Sequence, residues 1–92
     1  MSIKSENSSQ PILIYGAGQA GRETAASLMQ NSKYNLIGFI DDNLKIKNFN
    51  LLGHKVLGDL KKLNKLKRKF PNLLVIFAIV NISMDKRREI IS

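Results

Sequence analysis

The chain has 92 residues, no cysteine and a formal net charge of +8, and 43% of it is apolar. That length holds one small domain, and the missing cysteines exclude disulfides, thiolate metal sites and cysteine nucleophiles together. No apolar run approaches the roughly 20 residues of a membrane-spanning helix, and with no export signal the expected location is cytoplasmic.

Residues 1–10 are polar and form an expected disordered tail, leaving residues 11–92 as the domain. After Pro11, Ile12-Leu13-Ile14-Tyr15 is a short apolar run that predicts a buried parallel strand. Gly16-Ala17-Gly18-Gln19-Ala20-Gly21 follows directly. Residues 20–31 then set Ala25, Leu28 and Met29 at helical spacing, with Arg22, Glu23 and Gln30 elsewhere on the surface.

Tyr34 to Ile40 (YNLIGFI) predicts a second strand, ended by Asp41-Asp42-Asn43. Residues 44–58 read as irregular, with one short extended piece over Gly53–Gly58. Asp59 is a good N-cap for a helix whose buried stripe is Leu60, Leu63, Leu66 and Phe70. Lys61, Lys62, Lys65, Arg68 and Lys69 face water there, and Pro71 stops it. Leu73 to Val80 (LLVIFAIV) predicts the third strand, and Ser83 caps a last helix carrying Met84, Ile90 and Ile91.

The charge is uneven: residues 51–92 hold ten Lys/Arg against three Asp/Glu, residues 1–50 five against four. The asymmetry fits an anionic partner or, more simply, a solvated lysine-rich helix face. The basic helix lacks interleaved aromatics, which argues against a nucleic-acid partner.

Strands too apolar to face water, alternating with helices, imply an α/β fold with a doubly wound parallel sheet. The pattern reads as a truncated βαβαβ half with strand order 3-2-1, incomplete at its C-terminus. In that order strand 1 is an edge, so a further stretch of chain or a second copy pairing through it is expected to cover it.

A glycine pattern that follows a strand and opens a helix is the context of a nucleotide fingerprint. Gly16 permits the tight turn, Gly18 lets a pyrophosphate approach the backbone, and Gly21 lets the helix pack on the strand. The amides of Gln19, Ala20 and Gly21 are unsatisfied helix-start donors at the positive end of the helix dipole. Arg22, one residue on, either supports the phosphates or is solvated. Asp41 lies 20 residues after Gly21, where a carboxylate accepts bonds from ribose hydroxyls, and Asp42 is the alternative bearer. An acid there repels a 2′-phosphate, which argues against NADP.

Catalytic groups are not evident. Neither Tyr15 nor Tyr34 has a lysine four residues on, so the Tyr-x-x-x-Lys dyad of short-chain dehydrogenases is absent. His54 has no second ligand or triad partner and reads as a loop histidine, and no cluster suggests a metal. Binding, rather than catalysis by this chain, is the expectation.

The run Ile14 to Glu23, then Ile37-Gly38-Phe39-Ile40-Asp41-Asp42, then GHKVLG over Gly53–Gly58, resembles one family. This is the Rossmann-like nucleotide-binding domain ahead of the catalytic domain in bacterial polysaccharide-biosynthesis nucleotide-sugar 4,6-dehydratases and epimerases. Ala78-Ile79 and Arg87-Arg88-Glu89-Ile90-Ile91 also match its pattern, while Val80-Asn81 stands where members commonly carry a proline. The GFIDD and GxxVLG segments are similar as well to the N-terminal domain of sugar acyltransferases and to polyprenyl-phosphate sugar transferases.

The resemblance implies a full-length protein anchored to the inner membrane, with a separate catalytic domain acting on UDP-linked sugars and holding NAD. For this chain it implies a phosphate site at the glycine segment and ribose or base contacts at Asp41 or Asp42. The expected function is a nucleotide or nucleotide-sugar binding module, its ligand NAD, UDP or a UDP-sugar. The alternatives are the NAD-binding half of an oxidoreductase acting on nucleotide sugars, and a homotypic or membrane-docking interaction module.

Overall fold

A computed structural model describes residues 9–78 of the chain. Its elements are β1 (Gln10–Tyr15), α1 (Gln19–Leu28), β2 (Tyr34–Ile40), β3 (Asn50–Leu51), β4 (His54–Gly58), α2 (Leu63–Lys69) and β5 (Leu74–Phe77). Single 3-10 turns at Leu44–Ile46 and Leu60–Lys62 precede β3 and α2. The last helix expected from Ser83, and the end of the third apolar run at 79–80, lie outside the described residues.

One five-stranded sheet runs in the order β3-β4-β2-β1-β5. β1 pairs in parallel with β2 on one side and with β5 on the other, and β2 pairs in parallel with β4. β3 is the antiparallel arm of a hairpin with β4. The α/β class and the parallel sheet therefore stand, with two corrections to the sequence reading.

The strand beside β2 is β4, drawn from the Gly53–Gly58 piece, not the apolar run beginning at Leu73. That run crosses to the far side of β1 and becomes β5. The consequence is that β1 is central, satisfied on both sides, and the expected pairing of copies through a strand 1 edge is excluded. Four parallel strands in the order β4-β2-β1-β5 put β1, the most deeply buried strand, where ladder bonds on both sides and both helix layers shield it.

Alternation along β1 splits the core in two. Ile12 and Ile14 join Ala25, Leu36, Phe39 and Val56 on one face. Leu13 and Tyr15 join Ile40 and Leu63 on the other. α1 covers the first face and α2 the second, the arrangement of a doubly wound sheet.

Strict period-2 alternation would put Leu36 and Phe39 on opposite faces, yet both pack in the first cluster. The register slips between Ile12 and Leu13, where Leu36 and Gly38 are successive partners. Gly38 absorbs the slip at φ 151. A Cβ there would sit 2.9 Å from the Lys55 carbonyl oxygen, so this bulge requires glycine.

The helices follow the sequence with adjustments. Asp59 caps as expected, its Oδ1 accepting the Lys61 N–H at 3.0 Å, but the turn it opens is 3-10, and α2 proper begins at Leu63. Leu63 is buried, while Leu60, Leu66 and Phe70 are only half-buried. In α1, Ala25 is buried and Leu28 half-buried, but Met29 ends the helix 48% exposed rather than on the buried side. β1 begins at Gln10, one residue inside the expected tail, with its N–H on the Lys33 carbonyl and its side-chain amide on that of Asn72.

Candidate nucleotide crevice

The parallel strands β1, β2 and β4 all end on one edge of the sheet, so the turns after Tyr15, Ile40 and Gly58 lie side by side. Ligands of open α/β sheets bind along such an edge. The glycine turn is its centre.

Each glycine occupies a different environment. Gly16 turns the chain at φ 120, a conformation that side chains disfavour. At Gly21 an added Cβ would lie 1.8 Å from the Gly16 carbonyl oxygen and 3.5 Å from Ile14 Cγ2. The start of α1 therefore rests directly on the main chain of the turn.

Gly18 is the opposite case: an added Cβ meets nothing within 4 Å, and φ −79 is open to any residue. The fold does not need glycine at 18; open space lies where its side chain would be.

Gly18 is also the N-cap of α1, and no side chain caps the helix there. The first helical bond runs from the Arg22 N–H to the Gly18 carbonyl at 3.0 Å. Gln19, Ala20 and Gly21 precede it, so their amides have no partner one turn back. Gln19 and Arg22 are exposed and turned to their own helix: Gln19 Nε2 donates to Glu23 at 3.0 Å, and Arg22 Nε to the Gly18 carbonyl at 3.4 Å.

The structure separates the two aspartates. Asp41 clasps the turn: Oδ2 accepts the Ala17 N–H and Oδ1 the Asn43 N–H, both at 2.8 Å. It thereby ties the end of β2 to the glycine segment. Asp42 is exposed beside it, and its Oδ1 accepts the Tyr15 hydroxyl at 2.8 Å. Tyr15, wholly buried, was not among the binding residues that the sequence singled out. The signal was its place as the last residue of β1, next to the glycine turn.

Other candidates resolve simply. His54 opens β4 with Nδ1 on the Leu52 carbonyl at 3.0 Å, a local contact within the hairpin. Among the described residues no group of three or more His, Asp or Glu gathers as a metal site, and no helix is long and apolar enough to cross a membrane.

A parallel sheet covered on both faces, with a glycine turn between its central strand and first helix, defines a Rossmann-like domain. Residues 11–92 match the model of the PglD N-terminal domain family, and the chain belongs to that family. Of the groups the sequence resembles, this is the sugar-acyltransferase N-terminal domain.

Among solved structures the chain is similar to UDP-D-quinovosamine 4-dehydrogenase from Vibrio fischeri, 32% identical with a TM-score of 0.75 over 90% of this chain and 67% of that one. It is also similar to RSP, a Rex-family repressor, at 19% identity and a TM-score of 0.79, over 92% of this chain and 41% of that one. The complex of RSP with β-NADH gives 19% and 0.76, over 97% and 43%. At that identity the repressor shares the fold alone. A comparison with curated proteins gave no match.

Proposed function

We propose that this chain is a nucleotide or nucleotide-sugar binding module, taking NAD or a UDP-sugar, of an enzyme of bacterial surface-polysaccharide synthesis. The observation that carries the reading is the open space at Gly18 in front of the Gln19–Gly21 amides. A diphosphate seated there meets backbone donors and the positive end of α1 without needing a lysine. Gly16, Gly18, Gln19, Ala20, Gly21 and Arg22 form the phosphate side of the site.

Asp42 takes the ribose hydroxyls, oriented by the Tyr15 hydroxyl. Asp41 acts one step back by fixing the turn. The catalytic groups belong to another part of the enzyme, of the dehydratase/epimerase or the sugar-acyltransferase type, and the location is the cytoplasmic side of the cell.

A second reading, the NAD-binding half of an oxidoreductase, is favoured by the 32% identity to a UDP-sugar dehydrogenase. Calorimetric titration with NAD, UDP and UDP-N-acetylglucosamine separates the two. Binding of the uridine ligands, lost in Gly18→Val and weakened in Asp42→Ala, supports the nucleotide-sugar module. Preference for NAD supports the oxidoreductase half, and no binding by the folded chain refutes both.

A further inference from the structure

Positive charge is concentrated in one part of the chain. Residues 43–78 carry nine Lys/Arg and a single acid, Asp59, and the fold brings five of these cations to one face. Lys47, Lys61, Lys62 and Lys65 line a hollow of about 380 Å³ between the connection after β2 and the start of α2. Lys62 and Lys65 also line a second hollow of about 150 Å³, together with Lys69, Leu57 of β4 and Leu66 of α2. Shared walls make the two hollows one continuous surface, built from two separate stretches of chain.

The charge on this face is not neutralised within the protein. Asp59 is spent as a cap, its Oδ1 on the Lys61 N–H at 3.0 Å. None of the five ammonium groups has an ion pair among the described residues, and Lys69 Nζ stands 5.7 Å over the Phe70 ring. Apolar side chains lie among the lysines. Leu44 lines the larger hollow and is 60% exposed, while Leu57 and Leu66 are half-buried.

These features narrow the kind of partner. Clustered cations without counter-charge repel one another, and a negative surface relieves that repulsion. All five are lysine. Pairing with individual carboxylates of a protein favours the planar fork of arginine, whereas lysine is a hydrated point charge on a flexible stem and suits a fluid layer of anions. No aromatic side chain lines either hollow, so nucleic-acid bases have no platform to stack on. Exposed leucine among lysines is the composition of surfaces that lie on a bilayer, the cations at the headgroups and the apolar side chain at the acyl boundary.

We propose that the face formed by Lys47, Lys61, Lys62, Lys65 and Lys69, with Leu44, docks the domain on an anionic lipid bilayer. It uses no residue of the glycine turn or of the acidic pair, so this proposal and the nucleotide reading stand or fall separately. Each lysine near a charged bilayer contributes about five-fold to affinity, and screening makes the docking weaken as salt rises.

The test is flotation of the whole chain with vesicles of phosphatidylcholine alone and of phosphatidylcholine mixed with phosphatidylglycerol. Lys65→Glu is compared with Lys33→Glu, an equal change of net charge at an exposed position before β2, with circular dichroism as the check of folding. The chain has no tryptophan, so Leu44→Trp supplies a fluorescent reporter on the face itself. The expected result is binding to the mixed vesicles only, lost as salt is added. Lys65→Glu should weaken it about tenfold or more, Lys33→Glu by about two-fold at most, and the Leu44→Trp emission should move to shorter wavelength on binding.

Equal losses from Lys65→Glu and Lys33→Glu overturn the proposal, because net charge alone then accounts for binding. An unshifted Leu44→Trp emission in the bound chain overturns it by placing another surface on the bilayer. A folded chain that ignores both kinds of vesicle overturns it outright, and binding of a polyglutamate peptide by that chain would assign the face to an acidic protein instead.

Discussion

Gly21→Ala tests the packing on which the whole crevice depends. The added methyl would lie 1.8 Å from the Gly16 carbonyl oxygen and 2.8 Å from its carbon. Ordinary contact is about 3.5 Å, so α1 would have to withdraw by more than 1 Å. The obstacle is main chain, which cannot rotate away, and withdrawal would loosen Ala25 in the cluster it shares with Ile12 and Ile14. Overpacking of this kind costs about 3 kcal/mol, and alanine's helix preference over glycine returns about 1 kcal/mol.

A net loss of about 2 kcal/mol is a large share of the 5–14 kcal/mol or so expected for a domain of this size. It corresponds to a fall in Tm of about 8–16 °C. The assay is urea and thermal unfolding of Gly21→Ala beside Gly18→Ala, whose methyl meets nothing and should change stability by less than about 0.5 kcal/mol. Equal stability of the two variants would refute the packing argument.

Asp41→Ala leaves the Ala17 and Asn43 amides without their acceptor and should cost about 2 kcal/mol in urea unfolding, with Asp41→Asn recovering part of it. Tyr15→Phe removes the donor to Asp42; it should cost about 1 kcal/mol of stability and weaken nucleotide binding about two- to five-fold in a titration. Leu52 stands at φ 56 and is 48% exposed, so Leu52→Asn relieves a left-handed leucine and should raise stability by about 0.5–1 kcal/mol in thermal unfolding.

What the sequence disclosed was local. β1, the glycine turn, α1, β2 and the acidic pair follow one another between Gln10 and Asp42 and each carries its own signal. What it concealed depended on partners. The β3–β4 hairpin turns at Leu52-Gly53 with φ 56 and 83, the paired positive angles of a tight hairpin turn that Asn-Gly usually announces. A leucine in the first place hid it. β4 itself buries only Val56 and Gly58 fully, so its pattern is too thin to read as a strand, and without it the apolar run at Leu73 was placed in its position. The split between Asp41 and Asp42 rests on distances to Ala17 and Tyr15, residues 24 and 27 positions away. Spacing alone identifies the pair but not which member clasps the turn.

The central claim is that the Gln19–Gly21 amides receive a nucleotide's diphosphate, and residue-resolved NMR of the isotope-labelled chain tests it most directly. On addition of UDP-N-acetylglucosamine or NAD, the amide resonances of Gly18, Gln19, Ala20 and Gly21 should move most, together with Asp42, and Gly18→Val should abolish the shifts. Saturable shifts confined to other parts of the chain, or none in the folded protein, would contradict the account.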